Sequence, residues 1–181
     1  KFVSDPKLGE PYDEFFDDKF NLAAIVLKNG GVAYERDNQE KEINADTGLG
    51  GMSIAKSGAA AVIGNLLCEG KIKSLDDLAG NYSDFLKNSP YKDIKIKNIL
   101  RMASGVSKPG SSEGRFIATA LGFGKLSGKG SVKNALNLLK EPYTSQGKRF
   151  NYHASDVLVL SILAQEITNK PLGQLFYENI Y

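Results

Sequence analysis

One cysteine, one histidine and no tryptophan stand in a chain of 181 residues. Each scarcity excludes something. Cys68 has no partner for a disulfide within the chain. Beside Leu66, Leu67 and Gly70 it is expected to be a buried structural thiol rather than a reactive one. The lone histidine, His153, excludes a zinc centre built from several histidines, and no second cysteine exists to help. Neither sign of charge dominates: 23 basic and 21 acidic side chains leave a net charge of +2. That balance argues against a nucleic acid or an anionic membrane surface as partner. No apolar run reaches the roughly 18 residues of a membrane span. The chain begins at Lys1 and shows no signal-peptide pattern, which fits either a removed leader or a trimmed chain.

What is present suits one globular domain. Hydrophobic residues make up 41% and charged residues 24%, near the norm for folded proteins. Residues 1–20 are polar with inserted aromatics (Tyr12, Phe15, Phe16, Phe20) and are expected to form an arm or short helix. The rest, 21–181, reads as one unit. "NLAAIVLKNGGVAYERDN" predicts a β-hairpin: Asn21–Lys28 as one strand, Asn29-Gly30-Gly31 as the turn, Val32–Arg36 as the return.

After a polar loop the chain turns helical. Ser53–Glu69 is small or aliphatic on every side, which predicts a helix buried all round and stopped by Gly70. "SLDDL" starts a turn or short helix at Ser74, and "IKIKNILRMASG" leads into a helix ending at Gly105. Residues 106–130, rich in Gly, Ser and Lys, predict a long surface excursion flanking a cleft. Helices are expected over Ser131–Lys140, Asp156–Thr168 and Pro171–Tyr181, with a turn-rich loop, "EPYTSQGKRFNYHAS", between the first two. One hairpin beside five or six helices is a small share of sheet, and two strands alone are marginal.

The chemistry concentrates at "GMSIAKS". Ser53 and Lys56 sit three apart on one helix face, so the lysine reaches the serine hydroxyl. The helix start favours an alkoxide there. A lysine on a helix buried on all sides loses hydration, which favours its neutral, basic form. Together these activate a serine without histidine. The spacing S-x-x-K alone says little, because it occurs four times: at Ser4, Ser53, Ser89 and Ser145. Only Ser53 opens a long apolar helix; the others precede turn or extended contexts. The competing reading makes Ser53 an N-cap. A capping box would want Glu or Gln at position 56, and lysine there opposes the helix dipole. On residues alone, cap and nucleophile both stand.

Three blocks in order, "GMSIAKSGAAAVIGNLLCEGKIKSLDDL", "YKDIKIKNILRMASGV" and "GKRFNYHASDVLVLSILAQEITNKPLGQLFYENI", resemble the serine β-lactamase-like hydrolases. The similarity is to the branch of class C β-lactamases, D-alanyl-peptidases, carboxylesterases and 6-aminohexanoate-dimer hydrolases. It covers roughly residues 20–181. It implies an α+β fold, the α/β sandwich of the β-lactamase-like type, here a mostly helical lobe plus the N-terminal hairpin. It implies Ser53 as the acylated nucleophile, Lys56 as its proton acceptor, and Tyr152 in "NYHAS" as the tyrosine that shuttles a proton. The Ser53 backbone N–H would belong to the oxyanion hole. Read without the family, Tyr152 is an ordinary half-buried tyrosine beside a helix.

Two departures shape the expectation. Position 154 is alanine where penicillin-recognising members carry an asparagine that holds the substrate's amide. That leans toward an ester or a small amide as substrate. The family's third motif, Lys-Thr-Gly on a strand after the tyrosine, is absent, and the C-terminal sheet strands are missing from this chain. A second chain or a C-terminal fragment completing the sheet is therefore an implied partner. Ala154 and His153 are the expected substrate-facing neighbours of Tyr152, with His153 at the mouth of the cleft or solvated. A triad of His153 with Asp156 is not expected, because the two are three apart on one segment and compete for direction. Serine and lysine chemistry implies no metal and no organic cofactor. The family favours a periplasmic or secreted location. The other function class is a non-catalytic relative serving as a binding module.

Overall fold

The computed structural model describes residues 21–107, 113–122, 128–139 and 142–180. The expected N-terminal arm, 1–20, lies outside the described residues. The chain divides into two compact units, one ending at Gly50 and one beginning at Gly51.

In the first unit, β1 (Ala23–Lys28) and β2 (Gly31–Asp37) pair antiparallel as a two-stranded sheet. The two residues between them, Asn29 and Gly30, have φ of 52° and 77°. Positive φ at both turn positions gives the mirror-image turn whose twist matches the strands, which is why Asn-Gly stands there. A bulge between Val26 and Leu27 shifts the register.

The second unit is helical. Its helices are α1 (Ala55–Cys68), α2 (Asp84–Lys87), α3 (Ile96–Leu100), α4 (Glu113–Leu121), α5 (Val132–Leu136), α6 (Ala154–Thr168) and α7 (Leu172–Asn179). Short 3₁₀ turns at Met52–Ile54 and Ala79–Asn81 join them. Side chains of all seven helices meet in the core, among them Ile63 and Leu66 of α1, Leu86 of α2, Ile99 of α3, Phe116 of α4, Leu136 of α5, Leu163 of α6 and Leu175 of α7. Among the described residues no helix is long and apolar enough to cross a membrane.

The expectation that α1 is buried all round is wrong. It buries one stripe, Ala59, Val62, Ile63 and Leu66, the i, i+3, i+4, i+7 pattern of a helix on a core face. Its first turn is exposed apart from half-buried Lys56 and Gly58. Cys68 is exposed as well, contrary to expectation. It lies two residues past Leu66, so at about 100° per residue it points away from the buried stripe. Gly70 does stop the helix: its φ is 71°, its N–H bonds the Leu67 carbonyl, and the Lys71 N–H bonds that of Leu66. This is the Schellman arrangement. At Gly58 an added Cβ would come within 2.9 Å of the Phe176 ring, so α7 approaches α1 through that glycine.

"SLDDL" is the turn of its two expected forms, closed by the Asp77 N–H on the Ser74 carbonyl, and the 3₁₀ turn Ala79–Asn81 follows it. One further expectation changes. The excursion 106–130 carries a helix, α4, whose Phe116 and Ala120 are in the core.

Gly105 is where the turn-rich loop meets the core. Its carbonyl accepts the N–H groups of Tyr143 and Thr144, at 2.7 and 3.1 Å. Its φ is 77°, and an added Cβ would fall 2.2 Å from the Thr144 carbonyl oxygen. Gly105→Ala should cost about 2–4 kcal/mol through backbone strain and overpacking together. A urea unfolding curve checks this: the midpoint falls with little change in slope. An unchanged midpoint would show that the loop gives way freely.

Candidate active site

The 3₁₀ turn Met52–Ile54 runs directly into α1, and neither start is capped by a side chain. Ser53 is thus not the N-cap of the competing reading. Its hydroxyl points elsewhere. Lys56 Nζ lies 3.0 Å from Ser53 Oγ, and the Tyr152 hydroxyl donates to the same oxygen at 2.7 Å. Lys56 Nζ also stands 5.2 Å from the centre of the Tyr152 ring. A serine oxygen carries two lone pairs and one proton. It can therefore hold one partner as donor while giving its proton to the other, once that partner has a free lone pair.

The three side chains come together for separate reasons. Ser53 and Lys56 share a face through the helical repeat across the 3₁₀ to α junction. The residue before Ser53, Met52, has a φ of 41°, in the left-handed region. Methionine there costs about 1 kcal/mol or more, and such strain gathers where a side chain must be aimed. Nothing in the sequence signals it beyond the preceding Gly50-Gly51 pair.

Tyr152 arrives on a loop that is pinned at both flanks. The Gly147 N–H bonds the Ala103 carbonyl at 2.7 Å, and the Asn151 N–H bonds that of Met102 at 2.8 Å. Asn151 Nδ2 donates to the Ser107 carbonyl at 2.9 Å. On the other side Gln146 accepts from the Lys95 N–H and from Asn98 Nδ2, and donates to the Asp93 carbonyl. Most of these anchors are buried or half-buried backbone or amide groups, so a loop rich in turn residues is held in one place.

Of the two expectations for His153, at the mouth of the cleft or solvated, the second does not hold. His153 is 4% exposed, its ring packs edge-on against Phe116 with centres 5.1 Å apart, and its Nδ1 accepts the Ser155 N–H at 3.1 Å. It is the N-cap of α6, a role that fixes the chain one residue after Tyr152. Because Nδ1 accepts, the ring proton of neutral His153 is assigned to Nε2. Ala154, half-buried, lines a cavity that Ser53 and Lys56 also line.

Below this cap lies a polar cluster that the sequence reading did not pick out. The Tyr91 hydroxyl lies 2.7 Å from Asp156 Oδ1 and 2.8 Å from Ser155 Oγ. Ser104 Oγ donates to the same Asp156 oxygen at 2.6 Å, and Ser155 Oγ lies 2.8 Å from His153 Nδ1. Burial pushes the Asp156 carboxyl up to about 6, against the lowering pull of the Ser104 and Tyr91 hydrogen bonds. Burial, and then the Asp156 charge, push the Tyr91 phenol well above its ordinary value. The only hint in sequence was an acidic residue in the first turn of an otherwise apolar helix.

Chemically, the arrangement offers an exposed hydroxyl with a lysine amine and a phenol on its oxygen. That is the geometry of a nucleophile beside proton carriers. The beta-lactamase family profile matches residues 14–181. No curated protein sequence matches the chain. Solved structures do. A protein described as a 6-aminohexanoate-dimer hydrolase from Bacillus anthracis is 23% identical, with a TM-score of 0.71 over 93% of this chain and 46% of its own. A D-stereospecific amidohydrolase from a Streptomyces species is 24% identical, with a TM-score of 0.57 over 71% of this chain and 39% of its own. A hydrolase with promiscuous acyltransferase activity is 17% identical, with a TM-score of 0.66 over 97% of this chain and 50% of its own. At these identities the likeness is one of fold, and the chain spans half or less of the length of each. A profile match over residues 14–181 and a fold shared with these hydrolases lead to one assignment: the chain belongs to the beta-lactamase family.

Proposed function

We propose that the protein is a serine hydrolase that opens an ester or a small amide through an acyl-enzyme on Ser53. The observation that carries this is the convergence of Lys56 Nζ and the Tyr152 hydroxyl on Ser53 Oγ, at 3.0 and 2.7 Å. Ser53 Oγ attacks the substrate carbonyl carbon and gives its proton to Lys56 acting as a free amine. As the carbon to leaving-group bond breaks, the leaving alcohol or amine takes a proton relayed through Tyr152. Water then adds to the acyl-enzyme, returns the serine hydroxyl through the same two groups, and releases a carboxylic acid. The Ser53 N–H, at the start of the stacked 3₁₀ and α turns, is the candidate oxyanion donor.

Ala154 supports the ester and small-amide side of the proposal, since a methyl group offers no hydrogen bond to a peptide side chain. The structures of similar fold are about twice as long, which supports a further segment or second chain that adds strands to the sheet. The second reading, a non-catalytic binding module, is favoured by that same alanine.

A fluorophosphonate probe followed by intact-mass measurement separates the readings. The expected result is one adduct on Ser53, lost in Ser53→Ala. An adduct that persists in Ser53→Ala, or a wild-type chain that takes none, overturns the catalytic proposal and leaves the binding module.

A further inference from the structure

The cavity that starts at Ser53 is about 530 Å³, a volume typical of small-molecule sites. Beyond Ser53, Lys56 and Ser161, its walls are apolar: Ala59 of α1, Ile117 and Leu121 of α4, Val157 and Leu158 of α6, and Leu172 of α7. Apart from Lys56, which is already committed to Ser53 Oγ, no charged side chain lines it among the described residues. Such a wall cannot satisfy a buried carboxylate, ammonium or peptide group, and burying one unpaired is costly.

Which part of the substrate enters is settled by where protons must go. The leaving group has to receive its proton from the side of Tyr152. The phenol does not line the cavity, whereas Ser53 and Lys56 do. With the leaving group on the tyrosine side, the other substituent of the attacked carbonyl points into the cavity. Resting on the hydrolase reading above, we infer that the site selects substrates by an uncharged, apolar acyl chain, with the cavity between α1, α4 and α6 as the acyl-binding pocket.

Each methylene that leaves water for this wall should raise kcat/KM about three- to fourfold. The test is a series of p-nitrophenyl esters with one leaving group: acetate, butyrate, hexanoate and the hemisuccinate, whose acyl chain ends in a carboxylate. The expected order is hexanoate over butyrate over acetate, with hemisuccinate at least tenfold below butyrate. Leu121 is 57% exposed, so Leu121→Arg should fold. It should lower the hexanoate to acetate ratio several-fold and raise the hemisuccinate to butyrate ratio. Leu121→Gln should lower the first ratio and leave the second nearly unmoved. Fluorophosphonate labelling of Ser53 is followed in parallel. Labelling with a flat acyl series, with hemisuccinate preferred, or with both ratios unmoved in Leu121→Arg overturns the pocket assignment while the hydrolase stands. Loss of both labelling and ester cleavage overturns the hydrolase reading itself, and the pocket with it.

Discussion

Replacing Lys56 by methionine should slow phosphonylation of Ser53 by about 10²- to 10⁴-fold, the usual weight of a positioned proton acceptor. Methionine keeps the length and packing of the lysine stem and removes the amine that stands 3.0 Å from Ser53 Oγ. Lys56 is half-buried at the exposed end of α1, so the substitution leaves the core stripe of that helix intact. Lys56→Arg is the decisive companion. Arginine restores the positive charge but cannot release a proton at working pH. If Lys56 acts as the base, arginine stays as slow as methionine. If arginine recovers most of the rate, Lys56 serves as a fixed cation and the base lies elsewhere. Tyr152→Phe should cost a comparable factor, because it removes the second partner of the same oxygen. The Lys56→Met, Tyr152→Phe pair should be little slower than the slower single variant, since groups that act as one unit do not add. Labelling time courses by intact mass measure wild type and the four variants on one scale.

Much of the framework can be read from local signals. Asn29-Gly30 announces its hairpin because few other residues accept positive φ at both turn positions. Gly70 announces the end of α1 for the same reason. The spacing of Ser53 and Lys56 is equally local, and the structure puts their polar atoms in contact. What sequence hides is what depends on a neighbour distant along the chain. Alanine and glycine all round α1 suggest burial on every side, but which face is covered depends on where α6 and α7 lie. That one choice decides both the exposure of Ser53 and that of Cys68. α4 is missed because the stretch around it is dominated by Gly, Ser and Lys, while its own Phe116 and Ala120 find the core. His153 invites a role in chemistry by being alone, yet it caps α6. Tyr91 and Asp156, 65 residues apart, meet only in the folded chain, and no spacing rule would pair them.

That pairing leads to an expected dependence of stability on pH. Asp156 is 1% exposed, and its carboxyl sits at about 6 in the folded protein against an unfolded reference of 3.8. A carboxyl raised by folding makes the native state the better proton binder between those values. Stability is then highest near pH 4 and below, falls as pH rises through about 6, and levels off above it. For Asp156 alone the loss is about 3 kcal/mol, at 1.36 kcal/mol per unit of difference. Surface carboxylates act in the opposite sense: Lys97 and Lys95 hold Asp76 down at about 2, and that contribution is lost on acidification. The comparison with Asp156→Asn removes them, because they are common to both proteins. The amide carries no charge at any pH, and its oxygen still accepts from Tyr91 and Ser104. Between pH 4 and pH 7 the stability of wild type relative to Asp156→Asn should therefore drop by about 3 kcal/mol, read from urea midpoints at each pH. Parallel curves would mean that the buried carboxyl titrates no higher than in the unfolded chain. Asp156→Ala as the reference shows the same pH-dependent drop and adds a second loss: it strips the Tyr91 and Ser104 hydroxyls of their shared acceptor, so it should be about 1–3 kcal/mol less stable than Asp156→Asn at every pH. Because Ser155 links this cluster to the His153 cap, the alanine variant should also slow labelling of Ser53. The asparagine variant should not, since it keeps the cap and with it the placement of Tyr152.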